Sequence, residues 1–81
     1  MMKPEIEFDT ELDVCYIKLV DRKVYSTKKI ASNLLIDLDE DGFVIGMECL
    51  SIGLKLPYET LKAEYGLSVE QELYMRNYLK W

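Results

Sequence analysis

Leu34-Leu35-Ile36-Asp37-Leu38-Asp39-Glu40-Asp41-Gly42-Phe43-Val44-Ile45-Gly46-Met47-Glu48-Cys49 reads as two alternating runs joined at Asp41-Gly42. Strict alternation is the mark of a strand with one buried face. Asp-Gly is a leading two-residue hairpin turn, because both central positions take positive φ. That turn sets Leu38 opposite Ile45, Ile36 opposite Met47 and Leu34 opposite Cys49, so all six fall on one face. A three-residue loop sets Leu38 opposite Val44 and Leu34 opposite Glu48, which mixes the faces. The expected hairpin therefore joins strands over Ile30 to Asp39 and Phe43 to Leu50.

Working outward, Glu5 to Asp9 alternates, with Ile6 and Phe8 on one face. Val14 to Val20 alternates too, with Cys15, Ile17 and Leu19 against Val14, Tyr16, Lys18 and Val20. Asp21 to Lys29 is charged and loop-like, with room for a short edge strand at Val24-Tyr25-Ser26-Thr27. Beyond Ser51-Ile52-Gly53 the apolar period lengthens to that of a helix. Pro57 suits the first position of a helix striped by Tyr58, Leu61 and Tyr65 and ended by Gly66. Ser68-Val69-Glu70-Gln71 is a capping box opening a second helix toward Trp81. The expected fold is α+β: a four-stranded antiparallel sheet with a C-terminal pair of helices packed on one face. One domain spans residues 1–81, with its sheet in 3–52 and its helical tail in 56–81. The expected core is Ile6, Phe8, Cys15, Ile17, Leu19, Leu34, Ile36, Leu38, Ile45, Met47 and Cys49.

Composition bounds the function. With 81 residues there is one modest core. Net charge −5 disfavours nucleic acid and anionic membrane and favours a basic partner. No run is long enough to span a bilayer, and the opening residues lack a secretory signal. The expected compartment is the cytoplasm, where Cys15 and Cys49 stay reduced. With no histidine there is no histidine triad. The cysteines fall on the core face, where a thiol acts as a small hydrophobe.

Two motifs invite sharper readings. Asp37, Asp39, Asp41, Gly42, Val44 and Glu48 match the EF-hand calcium loop in type. An EF-hand needs helical flanks, however, and these flanks alternate as strands. The run reads as an acidic hairpin tip, with Asp37, Asp39, Asp41 and Glu48 the only candidate metal ligands and no cofactor expected. Leu61, Gly66, Leu67 and Ser68 resemble the turn of a helix-turn-helix reader of DNA. An inward position of the second helix would then be Glu72, and the tail carries no basic stripe.

Phe8-Asp9, Asp13 to Leu19, Asp37-Leu38-Asp39-Glu40-Asp41-Gly42 and Val44 to Leu50, in that order, resemble the YuzE-like family of small prokaryotic domains of unknown function. The resemblance covers about residues 3–51. It implies a small α+β fold and no catalytic residues. Some members are encoded beside toxin-like proteins, which implies an antitoxin-like binding role. The expected function is thus a non-enzymatic protein-interaction module. The alternatives are a metal-dependent or carboxylate-based enzyme, or a DNA-binding regulator acting through the helices. The face opposite the helices, with Val14, Tyr16, Val20, Leu35, Val44 and Leu50, is the expected interaction face, for a homodimer or another protein partner.

Overall fold

The computed structural model describes residues 3–80. The elements are β1 (Glu5–Asp9), β2 (Val14–Lys18), β3 (Ser26–Ala31), β4 (Leu34–Leu38), β5 (Val44–Cys49), α1 (Tyr58–Tyr65) and α2 (Val69–Leu79). The strands form one antiparallel sheet in the order β1-β2-β5-β4-β3. The sheet has five strands, not the expected four. The single strand expected over Ile30 to Asp39 is divided by a turn at Ser32-Asn33. Ile30 and Ala31 close β3, while Leu34 opens β4. The loop-like charge of Lys28 and Lys29 belongs to β3, which lies at the sheet's edge. Lysines there discourage a stray strand from adding to the row of open backbone groups.

The β4–β5 hairpin keeps most of the expected register. Leu34 faces Cys49, Ile36 faces Met47 and Asp37 faces Gly46. Nearer the tip, Leu38 faces Val44, not Ile45, and the register shifts between Asp37 and Leu38. The loop is the reason. Asp39 N–H donates to the Phe43 carbonyl, and Gly42 N–H donates to the Asp39 carbonyl. Gly42 has φ +84°. Glu40, Asp41 and Gly42 thus make a three-residue loop, a turn followed by a left-handed glycine. The longer loop displaces the pairing by one residue, and a bulge at Ile45 restores it. Val44 therefore packs in the core. Ile45 is buried but stands outside that cluster, lining the opposite face.

One hydrophobic cluster joins sheet and helices. Cys15, Ile17, Leu19, Leu34, Ile36, Met47 and Cys49 meet Leu56, Leu61, Leu67, Met75 and Leu79, with Ile6 and Leu38 packed at the margin. Phe8, expected inside, is 42% exposed although it lies opposite the buried Cys15, because β1 is an edge strand with no neighbour on its outer side. The Phe8 ring stacks on Tyr78 of α2, 6.5 Å between centroids.

The helices follow their caps. Pro57 sits one place outside α1, as its N-cap. Gly66, φ +72°, ends α1 and donates its N–H to the Leu61 carbonyl. The Ser68 hydroxyl accepts from Gln71 N–H at 3.0 Å, and the Gln71 side chain accepts from Ser68 N–H at 2.9 Å. Trp81, toward which the second helix is expected to run, lies outside the described residues. Glu72 does point inward and is buried. Lys62 Nζ lies 2.9 Å from one of its oxygens and Arg76 Nε 2.8 Å from the other. The Arg76 guanidinium also covers the Tyr58 ring at 4.3 Å. A charge that would be costly alone is thereby shared across both helices.

Candidate functional site

The strand registers place the residues of the uncovered face in rows. One row crosses all five strands as Glu7, Tyr16, Glu48, Leu35 and Lys29. The next runs Glu5, Lys18, Gly46, Asp37 and Thr27. Gly46 has no side chain, so the second row dips at its centre. A groove of about 410 Å³ results, and no residue of α1 or α2 lines it. Its apolar lining includes Tyr16, Leu35 and Ile45, together with Val20 and Val24. A methyl group built on Gly46 would stand 3.3 Å from the Ile17 carbonyl oxygen and 3.4 Å from Asp37 Oδ2.

The expected interaction residues divide between this face and the interior. Tyr16 and Leu50 are exposed and Leu35 is half-buried. Val20 is half-buried and packs against the core cluster as well as lining the groove. Val14 is buried, and Val44 has moved to the core through the bulge. The face accordingly carries Ile45 in place of Val44 and shows less of Val14 than the alternation implies. Ile45 is the groove residue that alternation assigns to the wrong side. The signal for it lies in Asp39-Glu40-Asp41-Gly42, which suits a turn ending in a left-handed glycine as well as a two-residue turn.

Carboxylates dominate the polar part of the groove. Among the described residues, no ion pair engages Glu5, Glu7, Asp37 or Glu48. Thr27 Oγ1 donates to Asp37 Oδ1 at 2.7 Å. Lys18 is already 3.3 Å from Asp21, and Arg22 is 3.1 Å from Asp39. Burial and then the neighbouring carboxylates of Glu48 and Asp9 push the Tyr16 phenol above its ordinary pKa, so it stays protonated at neutral pH.

The candidate metal ligands do not converge. Asp37 and Glu48 lie diagonally on the open face, facing Gly46 and Leu35 respectively. Asp41 is exposed in the turn. Asp39 is buried and fully occupied: its Oδ1 accepts from Asp41 N–H at 2.9 Å and Phe43 N–H at 3.0 Å, and its Oδ2 accepts from Arg22. Among the described residues, no group of three or more histidine, cysteine, aspartate or glutamate side chains is placed to hold a metal ion. Cys15 and Cys49 face each other across β2 and β5, both fully buried. Burial pushes both thiols up, Cys49 to about 12, so neither supplies a thiolate at neutral pH.

The buried carboxylates set an acid limit on stability. Hydrogen bonds from Phe43 and Asp41 N–H, with Arg22, hold Asp39 below its ordinary pKa; Lys62 and Arg76 do the same for Glu72. A folded-state pKa below the unfolded value gives stability that is complete above the unfolded pKa. It is lost as pH falls through the folded value. The denaturation midpoint is expected to drop as pH falls below about 5, and to drop less in Asp39→Asn and Glu72→Gln. Acid limbs of equal steepness in all three proteins would show that these groups do not set it.

A family model described as a protein of unknown function (DUF2283) matches residues 5–52, all five strands and neither helix. No curated protein and no solved structure matches the chain. Among the described residues, no helix is long and apolar enough to cross a membrane.

Proposed function

The chain belongs to the DUF2283 family of proteins of unknown function, and from that premise we propose that it is a non-enzymatic protein-interaction module that binds through the open face of its sheet. The observation that carries this reading is the groove around Gly46, where Tyr16, Leu35 and Ile45 lie among carboxylates on a face that neither helix covers. The chemistry-bearing groups elsewhere are engaged in the fold. Asp39 braces a turn, Glu72 ties the helices, and the paired thiols are buried and protonated. The antitoxin-like form of the proposal, with a cytoplasmic partner encoded nearby, rests on the resemblance to YuzE-like domains.

The test is Tyr16→Asp with Leu35→Asp, two substitutions on one row of the open face. Wild type and double variant are used to capture proteins from cells of the source organism, and the bound proteins are compared by mass spectrometry. The expected result is a protein retained by the wild type and lost from the variant while the variant's circular dichroism is unchanged. Identical capture by both would overturn the reading.

A second copy is the rival occupant of the same face, and the bulge bears on it. With Val14 and Ile45 both buried, the apolar patch available for two-fold pairing is smaller than alternation predicts. Sedimentation of the wild type at micromolar concentration separates a dimer from a monomer that keeps this face for another protein.

A further inference from the structure

We propose that the groove receives a basic segment of the partner, with lysine or arginine side chains meeting Glu5, Glu7, Asp37 and Glu48 and one apolar side chain seated over Gly46. This inference rests on the interaction reading above and names the chemistry of its partner. Four carboxylates border the hollow, and no ion pair among the described residues uses any of them. The cations that line the groove are Lys18 and Arg22, and each already has an acidic partner, Asp21 and Asp39. Lys29 stands at the outer end of the Tyr16 row, beyond Leu35.

That distribution selects among occupants. A phosphate backbone or an anionic membrane would be repelled by the four carboxylates. A second copy would bring four more carboxylates to the seam, more than the cations of the face can match, and the excess of like charge disfavours pairing. A cationic segment gains at each of these positions instead. The missing side chain at Gly46 supplies the matching shape. The row is low there, although a methyl group would already press on the Ile17 carbonyl oxygen at 3.3 Å and stand 3.4 Å from Asp37 Oδ2, and Tyr16, Leu35 and Ile45 line the same groove. Charge thus steers the partner, while the hollow fixes where one of its side chains lands.

The probe is a synthetic peptide of alternating lysine and leucine, with a glutamate-leucine peptide as its counterpart, measured by fluorescence anisotropy against the full chain. The lysine peptide is expected to bind and the glutamate peptide to fail. Glu5→Gln with Glu7→Gln and Glu48→Gln should weaken binding by at least about tenfold, as should roughly 0.5 M salt. Gly46→Val should weaken it too, by filling the hollow. The glutamine variants keep size and shape at surface positions, so they stay informative if Gly46→Val fails to fold.

Other outcomes separate the two proposals. If Tyr16→Asp with Leu35→Asp abolishes capture of the cellular partner while the glutamine variant captures it undiminished, the face is the site and the basic partner is wrong. If the lysine peptide binds every variant equally, including Tyr16→Asp with Leu35→Asp, the groove is not where it binds and the inference falls. If the wild type is a dimer that those two aspartates dissociate, the occupant is a second copy and the inference again falls.

Discussion

Leu61→Ala is expected to lower the free energy of unfolding by about 2–5 kcal/mol. Leu61 is the buried residue of α1 and has no exposed surface. Truncating it removes apolar burial and leaves a hollow where helix and sheet meet. Its carbonyl also accepts from both Gly66 and Leu67 N–H, so the turn between the helices closes on this residue. A small domain has roughly 5–15 kcal/mol of total stability, so the variant loses a large share of it. Chemical denaturation of wild type and variant measures the loss. A change under about 1 kcal/mol would show that α1 is not anchored to the sheet through this side chain.

The second large effect is expected at Gly66. Its φ of +72° is the left-handed region, and a methyl group built there would overlap the ring of Phe43. Gly42 has a similar φ, +84°, with nothing within 4 Å. The pair separates two physical terms. Gly42→Ala carries the backbone strain alone, while Gly66→Ala carries that strain and the overlap. Gly66→Ala is expected to cost about 1–3 kcal/mol and to exceed Gly42→Ala. Repeating Gly66→Ala in a Phe43→Ala background should recover the overlap and leave the backbone part. If Gly42→Ala and Gly66→Ala have equal effects, the half-exposed Phe43 ring moves aside freely.

The elements that can be read from the sequence are those with local causes. Alternation names β1, β2 and β5, and most of the core residues of β2 and β5, while β1 contributes only Ile6, at the margin. The capping box at Ser68 and the terminal glycine at Gly66 are local hydrogen-bonding signals, and both appear where expected. The split of β3 from β4 is less visible, because Ser32-Asn33 is a short turn between apolar residues. Lys28 and Lys29 disguise an edge strand as a loop. The bulge is hidden for a different reason. Two turns of nearly equal preference fit Asp39-Glu40-Asp41-Gly42. The observed one is favoured by the buried Asp39 carboxylate, which gathers the N–H groups of Asp41 and Phe43 and the distant Arg22. Arg22 comes from a segment whose approach depends on the whole sheet. Exchanging Val44 and Ile45 between faces follows from that single turn. The meeting of Cys15 with Cys49 is likewise a product of strand order, invisible to spacing along the chain.

The strand order carries a consequence for how the molecule assembles. β2 has β5 as its inner neighbour, and β3 and β4 reach the sheet only through β5. Loop closure between β2 and β5 spans the whole of β3, β4 and their turns, and such non-local pairing slows folding relative to local hairpins. A chain made from its N-terminus completes β1 and β2 first. That hairpin has no lateral support until Met47 and Cys49 exist to lie beside Ile17 and Cys15. Its apolar face then waits longer, until Leu61 and Met75 are made. The molecule is therefore a late folder in its own synthesis. α2 closes the core over the first strands, and a truncation that removes Met75 and Leu79 uncovers the apolar face of the β1–β2 hairpin.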